Sequence, residues 1–297
     1  MKVAVTGASG VVGSALTQVL KDDGHEVFSM VRRPAASPFE MTWDPATGHV
    51  DAGRMSKMDA VVHLAGENIA GKRWTDDQKR VIRNSRIDST YKLALTLSSI
   101  NPRPSVLVAA SAIGFYGDRG ENILSETSAM GEGFLAKLCK DWEDATLPAQ
   151  ASDVRVVHAR ISMVLSGHGG ALSKLLPVFK MGLGGPIGDG SQYMSWIDET
   201  DLARAIAFCL TKEDISGPVN MAAPNPVTNK EFTKVLAGVL GKPAFLPVPP
   251  PALRLAMGEV ADELLFVSQK VMPTVLQREG FRFEYADLER ALKHVLS

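Results

Sequence analysis

The chain has 297 residues, which is enough for one large domain or for a main domain with a smaller one, without a metal or disulfide to hold its core. Its 32 basic and 33 acidic residues leave a formal charge of -1, which argues against a nucleic-acid or membrane partner. No apolar run reaches the ~20 residues that cross a bilayer, and we expect no targeting leader, because an apolar strand pattern begins at residue 3. We expect a cytoplasmic, enzyme-like protein with buried free thiols at Cys139 and Cys209 and no metal site.

Short β-branched runs alternate with longer helical patterns in the first half of the chain. The runs that we predict as strands cover residues 3–6, 27–31, 60–64, 106–110 and 154–159. The helical patterns cover residues 11–23, 76–100 and 134–150. Apolar strands that alternate with helices predict an α/β fold with a doubly wound parallel sheet of the Rossmann-like kind.

The sequence becomes richer in glycine after about residue 165. Crowded glycines predict substrate-region loops around a helix over 171–181. A proline-rich segment over 243–251 predicts a stiff connection into a small, mainly helical region. We therefore predict a main domain over 1–220 and a smaller α-rich substrate or cap region over 221–297.

A glycine-rich turn follows the first strand. Gly7, Gly10 and Gly13 are spaced Gly-x-x-Gly-x-x-Gly between an apolar strand and an amphipathic helix. Glycine lets the backbone approach a pyrophosphate, and the helix N-terminus offers free N–H groups to it. The residues that we expect to contact a dinucleotide here are Thr6, Gly7, Ser9, Gly10, Val11, Val12 and Gly13.

Two arginines follow the second strand. An NAD site usually has an acidic residue about 20 positions after the glycines, where it binds the ribose hydroxyls. This chain has Arg32 and Arg33 there, and guanidinium groups bind a 2′-phosphate through charge-assisted hydrogen bonds. The sequence predicts NADP(H) as the cofactor, and an exposed basic loop is the alternative.

The third strand ends in small residues. Leu64, Ala65, Gly66 and Glu67 leave room for a cofactor at the carboxyl edge of the sheet, where open α/β sheets bind ligands. We expect His63, inside the strand, to be packed or hydrogen-bonded and not catalytic.

Further segments accompany these motifs. They are Arg73-Trp-Thr75, Asn84-Ser-Arg86, Ser111-Ala-Ile-Gly-Phe-Tyr-Gly117, Trp142-Glu143, Gly182-Leu-Gly-Gly-Pro-Ile-Gly188, Trp196-Ile-Asp198 with Asp201, and Asn220-Met-Ala-Ala-Pro224. With them the chain resembles, over nearly its whole length, the extended short-chain dehydrogenase/reductase family. Within it, the chain is most similar to NAD-dependent epimerase/dehydratase-like proteins with a C-terminal domain of unknown function. The resemblance implies further cofactor contacts by Arg86 and Met163.

The resemblance also implies a catalytic Ser or Thr and a Tyr-x-x-x-Lys pair, in which lysine lowers the tyrosine's pKa. This chain departs from that pattern, because none of its four tyrosines is followed four residues later by lysine. Lys137 stands where the lysine belongs, but Gly133 is four residues before it. The catalytic candidates are Ser111, Tyr116 and Lys137, and Tyr193 and Glu67 are ranked below these three.

The remaining expectations concern the second half. Trp196, Tyr193 and the loop over 182–190 are expected to wall a pocket for a small-molecule substrate. Asp198 and Asp201 are expected to cap or brace the next helix.

Two functions remain open at this point. One is an NADP-dependent oxidoreductase or epimerase-like enzyme that acts on a small polar molecule, such as a nucleotide sugar. The other is a non-catalytic NADP(H) binder that senses redox state or regulates. A protein-interaction role, for instance in cell division, is a third for which the sequence offers no physical support, and an oligomer is compatible with the sequence.

Overall fold

The computed structural model describes residues 1–297. The strands are β1 Lys2–Thr6, β2 Glu26–Val31, β3 Glu40–Thr42, β4 Ala60–His63, β5 Val106–Ala112, β6 Ile123–Leu124, β7 Arg155–Ile161, β8 Met163–Leu165, β9 Tyr193–Met194, β10 Trp196–Asp198, β11 Gly217–Met221, β12 Val227–Thr228 and β13 Lys270–Val271. The helices are α1 Val11–Asp22, α2 Ala52–Met55, α3 Asp76–Asn84, α4 Ile87–Ser99, α5 Phe134–Asp144, α6 Leu147–Gln150, α7 Gly170–Lys180, α8 Glu199–Thr211, α9 Asn229–Leu240, α10 Pro250–Met257, α11 Glu259–Leu264, α12 Thr274–Arg278 and α13 Leu288–Val295, with a 3-10 helix at Ile113–Tyr116. No helix has the length and apolar character needed to span a membrane.

The chain forms two compact units that alternate along the sequence. Unit 1 comprises Met1–Ser111, Leu138–Arg160 and Ala203–Val219. Unit 2 comprises Ala112–Lys137, Ile161–Leu202 and Asn220–Ser297. The alternation arises because segments that follow β5 and β7 fold together with the C-terminal residues, whereas the division inferred from the sequence cuts the chain once, near residue 220.

Unit 1 is built on a seven-stranded parallel sheet in the order β11-β7-β5-β4-β1-β2-β3, with helices against it. Val3, Ala4 and Val5 of β1 are fully buried, as expected for strands that are covered on both faces. The strand order reverses beside β1, which pairs in parallel with both β2 and β4. These features confirm the Rossmann-like α/β class.

The register of the sheet aligns a row of residues at its carboxyl edge. Thr6 of β1 lies beside Met30 of β2 and His63 of β4, and His63 lies beside Ala109 of β5. The segments that directly follow this row are therefore brought to the same edge. This is the position at which open α/β sheets bind ligands, next to the point where the strand order reverses.

The two long helices predicted over 76–100 and 134–150 are each interrupted, so these predictions were wrong in extent. Between α3 and α4 the Arg86 amide donates to the Arg83 carbonyl, three residues back, at 3.1 Å, which is a tighter turn than that of an α-helix. Between α5 and α6 the Thr146 hydroxyl donates to the Glu143 carbonyl at 2.7 Å. Pro148, which follows, has no N–H for a continuous helix. The short β3 and α2 were not predicted, because three or four residues carry too little periodic pattern.

Unit 2 contains three two-stranded sheets, β10 with β8, β12 with β9 and β13 with β6, together with helices that include the C-terminal ones. Trp196 is fully buried in its core and donates from its indole nitrogen to the Asn225 carbonyl at 3.1 Å. The expectation that Trp196 walls a pocket was therefore wrong, since β10 turns the indole into the core. Cys139 and Cys209 are buried free thiols, as predicted.

Candidate functional site

The glycine turn between β1 and α1 is too tight for other residues. Gly7 has a φ of 69°, and a Cβ atom there would lie 3.0 Å from the Leu64 carbonyl carbon and oxygen. A Cβ atom on Gly13 would lie 2.2 Å from the Gly7 carbonyl oxygen. The Gly10 amide closes the turn by donating to that same oxygen at 3.0 Å. Both outer glycines are thus required for the close packing of α1 on the end of β1.

The start of α1 suits an anion. The helix begins at Val11 with Gly10 as its N-cap, which gives no side-chain hydrogen bond, and its first turn holds no acidic residue. The first amides of a helix have no partner within it and carry the positive end of the helix dipole. Ser9 and Gly10 are exposed, and Val11 and Val12 are half-buried, so this end of the helix is open to a ligand. A pyrophosphate fits such a site.

Thr6 organises the two strand ends on which the turn rests. Its hydroxyl oxygen accepts hydrogen bonds from the Leu64 and Ala65 amides, at 3.1 and 3.2 Å. The Thr6 hydroxyl hydrogen therefore points to His63 Nδ1, 2.7 Å away. The imidazole proton must then lie on Nε2, which is buried, has no hydrogen-bond partner and belongs to a ring perpendicular to that of Trp43. His63 is a packed, hydrogen-bonded residue, as the sequence indicated.

Of the two arginines that follow β2, Arg33 is paired with a carboxylate and Arg32 is not. Arg33 forms two hydrogen bonds with the Glu40 carboxylate, at 2.6 and 2.7 Å, and this contact lowers the pKa of Glu40 to about 2. Arg32 is exposed and makes no hydrogen bond or ion pair. Because Arg32 comes two residues after Met30, which lies beside Thr6, it reaches the edge that carries the glycine turn. Arg32 is the guanidinium available to a 2′-phosphate, because the Glu40 carboxylate is already paired with Arg33.

Arg86 lies under the loop that follows β4. Its Nη2 donates to the Glu67 carbonyl at 2.9 Å, and its guanidinium lies 5.1 Å from the centre of the Trp142 ring. A Cβ atom on Gly66 would be 3.3 Å from the Arg86 guanidinium carbon. Burial lowers the pKa of Arg86. Arg86 thus fixes the backbone of the Leu64-to-Glu67 loop, and through it the space that the loop leaves at the sheet edge.

Ser111 belongs to a buried ionic cluster in unit 1. Its hydroxyl donates to Glu143 Oε1 at 2.7 Å, and the two oxygens of Glu143 accept from Arg160 Nε and Nη2, each at 2.8 Å. The exposed fractions are 2% for Ser111, 8% for Glu143 and 4% for Arg160. The Ser111 hydroxyl donates its hydrogen bond to the Glu143 carboxylate, which is already paired with Arg160. This geometry favours a structural role for Ser111.

Tyr116 is equally enclosed within unit 2. It is fully buried, and its hydroxyl donates to the Asn220 side-chain oxygen at 2.7 Å. Lys137 is exposed on the first turns of α5. Gly133, at the place of the missing tyrosine, has a φ of 100°, and a Cβ atom there would lie 2.5 Å from Glu263 Oε1. Any side chain at position 133 therefore meets a carboxylate from the C-terminal region.

Glu263 also caps the start of α5. Its two oxygens accept from the Phe134 and Leu135 amides, each at 3.1 Å. It borders a cavity of about 470 Å³ in unit 2, which is also lined by Gln269 and Arg119. The sequence did not single out Glu263, because no local pattern links it to a helix more than 120 residues earlier.

Three further residues of unit 2, Met163, Asp198 and Asp201, were singled out in the sequence. Met163 begins β8, and its amide donates to the Ser195 carbonyl at 3.2 Å. Asp198 Oδ1 accepts from the Thr200 and Asp201 amides, which caps α8, and burial raises the pKa of Asp198 to about 6. The Asp201 carboxylate accepts from the amides of residues 284 and 285. Both aspartates cap or brace the chain, as expected.

The edge of unit 1 therefore has the parts of a dinucleotide site. The pyrophosphate of a dinucleotide fits the glycine turn, where a Cβ atom would fill the space, and the start of α1, which has no side-chain cap. The phosphorylated ribose fits the exposed, unpaired Arg32. The sequence gave no role to Glu40, Glu143, Arg160 or Glu263, because the hydrogen bonds that define their roles appear only in the folded chain.

The family model described as NAD dependent epimerase/dehydratase family matches residues 3–222. The chain belongs to this family of short-chain dehydrogenase/reductase-like proteins. A second model, described as a domain of unknown function (DUF1731), matches residues 248–295. Together the two matches confirm the resemblance drawn from the motifs.

Similar proteins come from distant organisms. An epimerase family protein of Mycobacterium tuberculosis (strain CDC 1551 / Oshkosh) is 43% identical over 290 residues, which cover 98% of this chain and 96% of that protein. The crystal structure of human epimerase family protein SDR39U1 (isoform 2) with NADPH has a TM-score of 0.92 and 33% identity, covering 100% of this chain and 99% of that one. A nucleoside-diphosphate sugar epimerase from Corynebacterium glutamicum has a TM-score of 0.83 and 37% identity, covering 100% of this chain and 58% of that one.

Proposed function

We propose that the protein binds NADP(H) at the carboxyl edge of the unit 1 sheet and acts as an oxidoreductase or epimerase-like enzyme on a small polar carbonyl compound or alcohol. The observation that carries the cofactor choice is Arg32, which is exposed, unpaired and close in register to the glycine turn. A 2′-phosphate would supply the anion that this guanidinium lacks. The NADPH in the crystal structure of the human relative supports the same choice.

Different residues of unit 1 would bind different parts of the dinucleotide. The amides at the start of α1 would hold the pyrophosphate, and Arg32 the 2′-phosphate. Thr6 and Arg86 keep the loop after β4 in its place through backbone hydrogen bonds. A bound nicotinamide supplies hydride chemistry. A nucleotide sugar is the substrate class we favour, with support from the C. glutamicum protein, which is described as a nucleoside-diphosphate sugar epimerase.

The test is a titration with NADPH and NADH, followed by nicotinamide fluorescence, on the wild type and on Arg32→Ala. We expect the wild type to prefer NADPH and Arg32→Ala to lose about 10- to 100-fold in NADPH affinity, the size of a charge-assisted hydrogen bond, with NADH affinity unchanged. Arg33→Ala should lose less, because Glu40 already holds that guanidinium.

Arg282→Ala is the matched control, since Arg282 is an exposed arginine of unit 2. Its affinities should equal those of the wild type. Equal affinity of the wild type for the two nucleotides, or an equal loss of both in Arg32→Ala, would contradict the assignment of Arg32 to the 2′-phosphate.

One observation favours a second function, a non-catalytic NADP(H)-binding sensor. The place of the family's tyrosine is Gly133, and Glu263 occupies the adjacent space, so the usual Tyr-x-x-x-Lys pair is absent. A screen of nucleotide sugars and simple carbonyl compounds for NADPH oxidation separates the two functions. A sensor binds the nucleotide and oxidises it with none of them.

A further inference from the structure

Two segments of unit 2 that contain no acidic residue lie against each other. Residues 166–188 and 232–258 have five lysines and arginines and no aspartate or glutamate. The Gly188 amide donates to the Val248 carbonyl at 3.1 Å, and the Val248 amide donates to the Pro186 carbonyl at 2.8 Å. A chain with a formal charge of -1 therefore has a local excess of positive charge in these paired segments.

Large apolar side chains are exposed where the two segments meet. A Cβ atom on Gly182 would lie 3.3 Å from Pro243 Cγ, and one on Gly185 would meet the Leu246 carbonyl oxygen. The end of α7 thus lies beside residues 243–246. Five side chains here are between 42% and 74% exposed, and we call them the apolar surface: Val178, Met181, Leu183, Phe245 and Leu246. Soluble monomers rarely expose neighbouring apolar groups of this size unless the patch binds something.

The backbone fixes the α7 side of the apolar surface. α7 ends in a Schellman motif around Gly182, which has a φ of 73° and donates from its amide to the Phe179 carbonyl at 2.9 Å. The Leu183 amide donates to the Val178 carbonyl at 3.1 Å, which sets these two apolar residues side by side. Phe179 itself is buried in the core of unit 2. α7 therefore buries one apolar face and exposes another.

Two lysines flank the apolar surface. Lys180 is the last residue of α7, and Lys242 directly precedes residues 243–246. Both lysines are exposed and make no hydrogen bond or ion pair. The acidic residues that border the two segments are Asp189 and Glu231, and each carboxylate accepts hydrogen bonds within its own turn. The surface therefore combines apolar side chains with unpaired positive charge.

This charge decides between the occupants that an apolar surface could have. In a symmetric dimer the same patch is used on both sides, so Lys180 and Lys242 would face the same lysines of the second copy. Like charges across an interface oppose that pairing. An anionic lipid bilayer has the opposite charge, and its interface accepts apolar side chains while lysines stay at the level of the headgroups. The bilayer matches both features of the surface.

We propose that the apolar surface docks this protein onto an anionic lipid bilayer, with Met181 and Phe245 inserted among the headgroups and Lys180 and Lys242 against the lipid phosphates. The proposal goes beyond the proposed function and does not depend on it, because the surface lies wholly in unit 2. The expectation of no membrane partner rested on the charge of the whole chain, whereas docking depends on the charge that one surface presents.

The first experiment is sedimentation of the full-length protein with lipid vesicles, without nucleotide or substrate. One set of vesicles is pure phosphatidylcholine, and the other contains about one third phosphatidylglycerol. We expect the anionic vesicles to bind at least about 10-fold more tightly, and added salt to weaken this binding. Lys180→Gln/Lys242→Gln should remove most of the preference, and Phe245→Ser should weaken binding about 10-fold.

A second readout reports insertion into the bilayer. All four tryptophans of the chain are buried, so Phe245→Trp adds an exposed indole in the middle of the apolar surface. Its emission should shift to shorter wavelength with anionic vesicles and be quenched by lipids with brominated acyl chains. Wild-type emission should not respond to either.

Matched variants in unit 1 exclude general effects. Lys21→Gln/Lys57→Gln removes two exposed lysines, and Leu147→Ser removes an exposed leucine; neither should change vesicle binding. Equal binding to both kinds of vesicle overturns the proposal, and so does binding to neither, which would point to an acidic protein segment as the occupant. A dimer in light scattering that Phe245→Ser dissociates also overturns it, because the surface would then join two copies of the chain.

Discussion

Burial decides the ionisation of His63 in β4. The side chain is fully buried between strands, and this burial lowers its pKa to about 4. The same imidazole in an unfolded chain titrates near 6.5. As pH falls below about 6.5 the unfolded chain binds a proton that the folded chain refuses, so folding loses stability until about pH 4.

This linkage gives a prediction for His63→Asn, in which the amide oxygen can still accept from Thr6. Between pH 7 and pH 4 the free energy of unfolding should fall by roughly 3 kcal/mol less than in the wild type. Urea unfolding at pH 7 and pH 4 measures the difference. His158 also has a lowered pKa, so the comparison between proteins is what isolates His63. The exposed His49→Asn is the control, and a wild-type pH dependence in His63→Asn would refute the linkage.

Neighbouring residues of one type can have different roles. Arg32 and Arg33 are equivalent in the sequence, yet Glu40 holds only Arg33. Ser111 looks like a catalytic serine beside a strand end, yet its hydroxyl donates a hydrogen bond to the Glu143 carboxylate. In both cases a carboxylate from elsewhere in the fold decides which side chain is available to a ligand.

The start of α5 depends on a carboxylate from another element. Gly133 precedes the helix with a positive φ and gives it no side-chain cap, and Glu263 of α11 accepts from the first two helical amides instead. A carboxylate at a helix N-terminus satisfies open donors and interacts favourably with the helix dipole. The C-terminal helices therefore stabilise the segment in which the family usually has its tyrosine.

We predict that Glu263→Ala lowers the free energy of unfolding by about 1 to 2 kcal/mol, the value typical of a lost helix cap. Urea unfolding at pH 7 measures it. Asp262→Ala is the matched control, because Asp262 is the exposed neighbour whose ion pair with Arg254 is exposed as well, and such pairs contribute little. Equal stabilities of the two variants would show that the cap does not matter.

Cofactor binding should be visible in the stability of the whole protein. A ligand that binds only the folded state at 100 times its dissociation constant adds about 2.7 kcal/mol to the free energy of unfolding. For a chain of this size we expect NADPH to raise Tm by several degrees, and NADH at the same concentration by less. Differential scanning calorimetry with each nucleotide measures this.

Gly10→Asp provides the control for that measurement. Gly10 is exposed and has extended backbone angles, and aspartate is a good N-cap, so the variant should fold. Its carboxylate would stand where the pyrophosphate binds, and NADPH should no longer raise Tm. An unchanged NADPH effect in Gly10→Asp would place the nucleotide elsewhere.

The sequence by itself determined the features that depend on neighbouring residues. The alternation of apolar strands with helices predicted the parallel sheet, and the spacing of Gly7, Gly10 and Gly13 predicted the turn, since both patterns follow from local backbone geometry. The absence of Tyr-x-x-x-Lys is likewise a matter of spacing within one helix. Even the basic character of the segment after β2 is a local property.

The tertiary structure decided everything that pairs residues far apart in the chain. It joined Lys270 to Tyr193 across 77 positions, and Glu263 to Phe134 across 129. It ended two helices early and divided the chain into interleaved units. The physical reason is that a hydrogen bond or ion pair depends on which chain segments the fold brings within about 3 Å, and no periodicity in the sequence encodes that distance.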